Sequence, residues 1–121
     1  GKGQAEMDKS RKKELQMEYK LRKPDMGVFV ISCSGNGKQY VGYAQDLRGK
    51  MNGHYFKVSS GFHPNRRMLA DWKEYGEPAF EMKVLEQLPY DEKEENKTDY
   101  TKELQELQLK WMSKLENAEE L

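Results

Sequence analysis

Apolar residues along the chain first form two short runs and later recur at helical spacing. The runs 26–31 and 39–43 flank the polar segment Ser34-Gly-Asn-Gly-Lys38. Because glycine tolerates the positive φ of a tight reversal, this pattern predicts a β-hairpin. A third run, 80–85, alternates apolar and charged residues, which predicts a strand with one face in water.

Three later segments repeat apolar residues every three or four positions, which predicts helices. The first covers 46–58 with Asp46 as its N-cap, and the second begins at His63-Pro64-Asn65 and ends at Gly76. The third covers 98–116. The positions predicted to face the core are Leu47, Met51, Val58, Met68, Leu69, Trp72, Tyr75, Tyr100, Leu104, Leu107, Trp111 and Leu115.

Two glycines, Gly49 and Gly53, lie four residues apart in the first predicted helix. Each costs about 1 kcal/mol relative to alanine in a helix interior. Their spacing indicates close approach on that face, either by a ligand or by a neighbouring strand.

The chain is predicted to form one domain preceded by an extension. Residues 8–23 are predicted to form a basic helix that ends before Pro24. This helix is expected to be either a DNA-facing arm or a surface helix that lies on the domain. We divide the chain into an N-terminal extension (1–25), a domain (26–116) and a frayed C-terminus (117–121). The fold class is α+β, with a small three-stranded antiparallel sheet flanked by helices in the order β-β-α-α-β-α.

The composition restricts the kinds of site and the compartment. Charged residues make up 35% of the chain, and the mean hydropathy is −1.08. No apolar run approaches the roughly 20 residues of a membrane span, so no membrane partner is expected. Cys33 is the single cysteine, which excludes an internal disulfide and a zinc site built from cysteines. These features favour a reducing, cytoplasmic setting.

The net charge of zero hides an asymmetry between the two parts of the chain. Residues 1–75 contain 15 Lys and Arg against 8 Asp and Glu, a net of +7, whereas residues 76–121 contain 6 against 13, a net of −7. The basic part could meet phosphates and the acidic part repel them. The alternative is that both are solvated helix faces.

Several short motifs occur in a fixed order along the predicted elements. They are Gly27-Val28-Phe29, Tyr40-Val41-Gly42, Asp46-Leu47, Lys50, His54, His63 and Trp72. In this order and spacing the chain resembles the GIY-YIG nuclease superfamily over roughly residues 26–115, and among its members the small stand-alone proteins labelled LuxR-like or uncharacterised. The resemblance implies the same β-β-α-α-β-α order and a connection with DNA cleavage.

The resemblance also implies a set of catalytic positions, and three of the four are substituted here. The family's first motif tyrosine is Phe29, its second is kept as Tyr40, its arginine falls on Lys50, and its metal-binding glutamate falls on Gln108. Phenylalanine has no hydroxyl, lysine lacks the planar bidentate fork, and glutamine offers a neutral oxygen only. With His54, which matches a family position, the catalytic candidates are Tyr40, Lys50 and His54; no residue set is assigned to a metal.

Three functions follow from these observations. The first is a nucleic-acid-binding or regulatory module with weak or absent nuclease activity, which needs no cofactor. The second is a DNA endonuclease with an altered site that uses Mg²⁺ or Mn²⁺. The third is a protein-interaction module, with a protein partner or a homodimer formed through the helix at 98–115 or through the N-terminal helix. The residues predicted to contact nucleic acid are Lys50, His54, Lys57, His63, Arg66 and Arg67.

Overall fold

A computed structural model describes residues 24–94 and 96–121 of the chain. The basic helix predicted at 8–23 lies outside these residues. Within them, none of the helices is long and apolar enough to cross a membrane.

The centre of the fold is a mixed sheet of four strands in the order β3-β1-β2-β4. The strands are β1 (Gly27–Cys33), β2 (Gln39–Ala44), β3 (Phe80–Gln87) and β4 (Ala118–Glu120). Both β2 and β3 pair with β1 in antiparallel fashion, whereas β4 runs parallel to β2. The predicted hairpin and third strand are therefore confirmed.

The hairpin closes through backbone bonds at its turn. The Cys33 N–H donates to Lys38 O over 2.9 Å, and the Gly37 N–H donates to Cys33 O over 2.9 Å. Gly37 has φ 73°, a left-handed conformation that a residue without Cβ adopts without strain. The turn thus sets the register that places Phe29 opposite Gly42.

The predicted α+β class is confirmed, but the sheet is mixed and has a fourth strand, which forms from the C-terminal residues predicted to fray at 117–121. The last residues form β4, which hydrogen-bonds to the outer edge of β2. The Gln39 N–H donates to Asn117 O over 3.0 Å, and the Leu121 N–H donates to Val41 O over 3.0 Å. An unpaired strand edge offers a row of such backbone groups, so even a polar segment gains hydrogen bonds there.

The three predicted helices are present, with bounds that differ by a few residues. They are α1 (Leu47–Ser60), α2 (Arg66–Tyr75) and α3 (Thr101–Lys114), and a short 3-10 helix (Glu77–Ala79) follows α2. The Asp46 side chain accepts the Gly49 N–H and so caps α1 as predicted. Asn65 caps α2 by accepting the N–H groups of Arg67 and Met68, which places the start of α2 after His63-Pro64.

The helices cover both faces of the sheet. One face buries Phe29, Ile31 and Tyr40 against α1 and α2, and the other buries Val30 and Val41 against α3. This split follows from the alternation of side chains along a strand. Most predicted core positions are buried or half-buried, but Tyr75 is 38% exposed, because it ends α2 beyond the edge of the packed surface.

Candidate functional site

A cleft of about 470 Å³ opens at the outer edge of β2, beyond the point where β4 ends. Its position follows from the pairing, because β4 covers Gln39–Val41 and leaves the remainder of β2 without a neighbour on that side. Helix α1 borders the cleft on one side and α3 on the other. The residues lining it are Gly42, Tyr43, Lys50, His54, Gln105, Gln108, Leu109, Glu120 and Leu121.

Three of the predicted site residues meet in this cleft. Lys50, which is exposed, and His54, which is half-buried, lie one helical turn apart on α1, and Gln108 comes from α3. The spacing of four residues puts Lys50 and His54 on one face of their helix. The structure therefore brings together three residues that the resemblance assigns to a family arginine, histidine and glutamate.

His54 and His63 form a hydrogen-bonded pair beside the cleft. His54 Nδ1 lies 2.7 Å from His63 Nε2, and His63 Nδ1 accepts the Asn65 N–H over 2.9 Å. Because His63 Nδ1 is an acceptor, neutral His63 carries its hydrogen on Nε2 and donates it to His54. Neutral His54 then carries its own hydrogen on Nε2. Within the described residues this N–H has no protein acceptor.

Both imidazoles are held in their neutral form. Burial, followed by the neighbouring His63, Lys50 and Lys57, lowers the pKa of His54 to about 4. Burial and the nearby Lys57 lower the pKa of His63 as well. At neutral pH the cleft therefore presents a lysine cation and an imidazole N–H donor, a combination suited to anionic oxygens.

Phe29 lies beneath the cleft and is fully buried. Its ring centroid lies 5.6 Å from that of His54. A Cβ added to Gly42 would lie 2.8 Å from Phe29 Cζ and 2.9 Å from Leu121 Cδ2. These short distances show why glycine is needed opposite Phe29. They also show that the Leu121 side chain packs against Gly42.

Tyr40 is buried and hydrogen-bonded to Asp71. Its hydroxyl donates to an Asp71 carboxylate oxygen over 2.5 Å. Burial and the bond to Asp71 raise the pKa of Tyr40 above its usual range. Tyr40 is thus a protonated donor at neutral pH, and it does not line the cleft that contains Lys50 and His54.

The Gln108 side chain is hydrogen-bonded to the sheet. Its side-chain amide donates from Nε2 to Val41 O over 2.8 Å, and the residue is buried. In the described residues, no three His, Cys, Asp or Glu side chains group in a way that could hold a metal ion. Glu120 supplies the single carboxylate among the described residues lining the cleft. Because Mg²⁺ requires a near-octahedral set of oxygens, usually with carboxylates, these side chains do not fit such an ion.

Three other predicted nucleic-acid contacts, Lys57, Arg66 and Arg67, do not line the cleft. Lys57 is exposed near the end of α1, and Arg66 is exposed at the start of α2. Arg67 is paired with Glu119 of β4, with Nη1 2.9 Å from the carboxylate oxygen. Lys38 also approaches Glu119, at 3.7 Å. Within the described part of the chain, Arg67 is therefore the predicted contact that pairs with a carboxylate.

Sequence reasoning missed Asp71 and Glu120. Asp71 lies three residues after Met68 on α2, and that spacing directs it toward the sheet. A carboxylate on the core-facing side of a helix needs a hydrogen-bond donor, so this position could have indicated a buried partner. Glu120 gave no comparable signal, because it reaches the cleft only through the pairing of β4.

Comparisons with known proteins agree with this architecture. A family model described as the GIY-YIG catalytic domain matches residues 25–116. Intron-associated endonuclease 1 of Enterobacteria phage T4 is 29% identical over 65 residues, which are 54% of this chain and 26% of that protein. The chain therefore spans about a quarter of the length of this relative.

Solved structures show the same fold. The catalytic domain of homing endonuclease I-TevI is 24% identical with a TM-score of 0.61, covering 74% of this chain and 87% of that domain. A mutant of the I-TevI catalytic domain is 24% identical with a TM-score of 0.60, covering 75% of this chain and 84% of that one. The family model accounts for most of the chain, and the resemblance seen in its motifs is confirmed. The chain belongs to the GIY-YIG family.

Proposed function

We propose that this domain binds DNA through the phosphate backbone and has weak or absent nuclease activity, so that its role is binding or regulation. It requires no cofactor for this function. The proposal rests first on Gln108, because the residue at the family's metal-ligand position has no charge and donates its amide hydrogen to Val41 O. A metal-assisted hydrolysis lacks its charged ligand at this position.

Support also comes from the other substituted positions. Phe29 has no hydroxyl with which to orient or deprotonate water. Lys50 keeps a positive charge but cannot form the bidentate contact of a guanidinium. What remains in the cleft is suited to binding phosphate, namely the Lys50 ammonium and the His54 Nε2–H. The exposed cations Lys57 and Arg66 lie outside it, on α1 and α2.

Salt dependence tests the proposed binding. The affinity for a short duplex, measured by fluorescence anisotropy from about 50 to about 200 mM salt, should fall steeply and vary little with sequence. Lys50→Gln should weaken binding at every sequence and reduce the salt slope by about 1, because one phosphate contact is removed.

Lys83→Gln is the matched control. Lys83 is exposed on β3, at the opposite edge of the sheet from the cleft. Its loss should leave both the affinity and the salt slope unchanged. Duplex binding that is absent at low salt, or that weakens equally in both variants, would rule out the cleft as the binding surface.

A metal-dependent endonuclease with an altered site is the second candidate. The observation that favours it is the retained Tyr40, whose hydroxyl is oriented by Asp71. A catalytic phenol must reach the scissile phosphate, however, and Tyr40 is fully buried. The binding function therefore ranks first, and a cytoplasmic location is part of the same proposal.

A further inference from the structure

Two phenylalanines remain largely exposed at the end of α1. Phe56 is 62% exposed, and Phe62, which follows the helix cap Gly61, is 55% exposed. Their rings meet edge to face, with centroids 5.7 Å apart. Each ring keeps much of its surface in water, where an aromatic side chain is unfavourably placed unless it has a partner.

The surroundings of Phe62 are cationic. Phe62 lines a second cleft of about 590 Å³, to which Arg66 and Lys73 also contribute. No Asp or Glu is among the described residues that line it. Helix α1 itself contains Arg48, Lys50 and Lys57 and no acidic residue. A ligand for this surface therefore combines an apolar planar group with negative charge.

The second cleft shares a wall with the first. His63 lines the second cleft and hydrogen-bonds His54, which lines the first. The two imidazoles thus join the cleft that Lys50 lines to the cleft that Phe62 lines. A flexible anionic chain that contacts Lys50 and His54 can continue along α1 to Phe62.

We propose that Phe56 and Phe62 form a stacking platform for an unpaired nucleobase of the strand whose phosphates contact Lys50 and His54. This inference rests on the proposed binding function and assigns its ligand class: nucleic acid with a single-stranded segment. Aromatic faces beside cations bind single strands because every base has a π-face, whereas duplex bases are already stacked on each other. An acidic peptide with aliphatic side chains is the competing occupant, and leucine variants distinguish the two.

The experiment compares a single-stranded oligonucleotide with a duplex of the same sequence, using fluorescence anisotropy. Phe62→Leu and the double variant Phe56→Leu, Phe62→Leu remove the π-faces but keep apolar side chains. We expect single-strand binding to weaken roughly 5- to 100-fold while duplex binding stays within about twofold. Phe62→Trp enlarges the face and should bind the single strand at least as tightly as the unmodified protein.

Tyr75→Leu is the control, because Tyr75 is another partly exposed aromatic residue that lines neither cleft. Its single-strand affinity should not change. Thermal melts of each variant exclude unfolding as the cause of any loss. Single-strand binding that tolerates leucine at both positions, as an aliphatic docking surface would, overturns the platform. The platform is also overturned if the leucine variants lose the same affinity for the duplex as for the single strand. If the unmodified protein binds neither ligand, the proposed binding function itself is wrong.

Discussion

The Tyr40 hydroxyl donates a 2.5 Å hydrogen bond to the Asp71 carboxylate, and both side chains are shielded from water. The bond joins the second strand of the hairpin to α2 across the core face that also contains Phe29. A carboxylate acceptor makes such a bond stronger than one between neutral groups. The pair therefore fixes the position of α2 relative to the sheet.

Removing either partner of this pair should destabilise the fold. Tyr40→Phe leaves the carboxylate without its donor, and Asp71→Ala leaves the phenol without its acceptor. We expect each to lower the free energy of unfolding by about 1.5–3 kcal/mol. Urea denaturation of both single variants and the double variant gives their coupling energy. Since the two residues form one bond, the double variant should lose clearly less than the sum of the single losses. Additive losses would show that the bond contributes nothing.

The histidine pair predicts a loss of stability in mild acid. In an unfolded chain a histidine titrates near pH 6.5, whereas in the fold the pKa of His54 is lowered to about 4. Between these values the unfolded state binds more protons, so the free energy of unfolding decreases as the pH falls. Because His54 is only partly shielded, we expect about half of the full linkage effect, on the order of 1 kcal/mol between pH 7 and pH 5.

Thermal melts from pH 7 to pH 5 check this expectation without titrating most carboxylates. His54→Gln is the matched variant, since its amide oxygen can still accept the His63 Nε2–H. Its melting temperature should depend less on pH than that of the unmodified protein. If the melting temperatures of the two proteins depend on pH in the same way, the histidine pair is not the cause of the loss of stability in acid.

Two glycines give opposite predictions for substitution by alanine. A Cβ at Gly53 would meet no atom within 4 Å, so Gly53→Ala should stabilise the protein by about 0.5–1 kcal/mol through helix propensity. A Cβ at Gly42 would lie 2.8 Å from Phe29 Cζ, so Gly42→Ala should cost about 1–3 kcal/mol. Chemical denaturation of both variants measures the difference. A stabilising Gly42→Ala would mean that the core beneath the cleft is loosely packed.

Replacing the three substituted residues by the family's residue types tests whether these substitutions cause the proposed weak nuclease activity. Phe29→Tyr, Lys50→Arg and Gln108→Glu together replace the hydroxyl, the guanidinium and the carboxylate, and we expect measurable DNA nicking with Mg²⁺ or Mn²⁺ from the triple variant only. Single replacements should do little, because residues of one catalytic unit are not additive. Gel assays of plasmid nicking report the outcome.

Thermal stability provides a second measurement for the same variant. A carboxylate at Gln108 would face Val41 O without a hydrogen to donate, so Gln108→Glu should destabilise the protein by about 1–3 kcal/mol. Added Mn²⁺ should recover part of this loss if the carboxylate binds the ion. Robust metal-dependent cleavage by the unmodified protein, abolished by Tyr40→Phe, would contradict the proposal of a weakened site.

Local signals made much of the fold predictable. Gly37 and the two apolar runs indicated the hairpin, and Asp46 and Gly76 marked helix ends because capping depends on neighbouring residues. β4 could not be predicted in this way. Its sequence, Ala-Glu-Glu, has little intrinsic strand preference, and its pairing depends on an edge about eighty residues earlier in the chain.

The candidate site was predictable only where it depends on spacing within one helix. Helical spacing is enough to place Lys50 and His54 on one face. The contacts between elements could not be inferred from spacing: His54 with His63, Tyr40 with Asp71, and Gln108 with Val41 O. The close approach of a neighbouring strand predicted at the two glycines of α1 is wrong, because a Cβ at Gly53 would meet no atom within 4 Å and one at Gly49 would first meet the side chain of Asp46, the N-cap of α1. The alternative, close approach by a ligand, stays a prediction.

The parallel strand β4 has a consequence for how molecules of this protein meet one another. An uncovered outer strand invites a second chain to extend the sheet, which is a route to aggregation. Here β2 is covered over Gln39–Val41 by only three residues, and two of them, Glu119 and Glu120, are negatively charged. The short strand and its Glu120 carboxylate disfavour the joining of two sheets along this border.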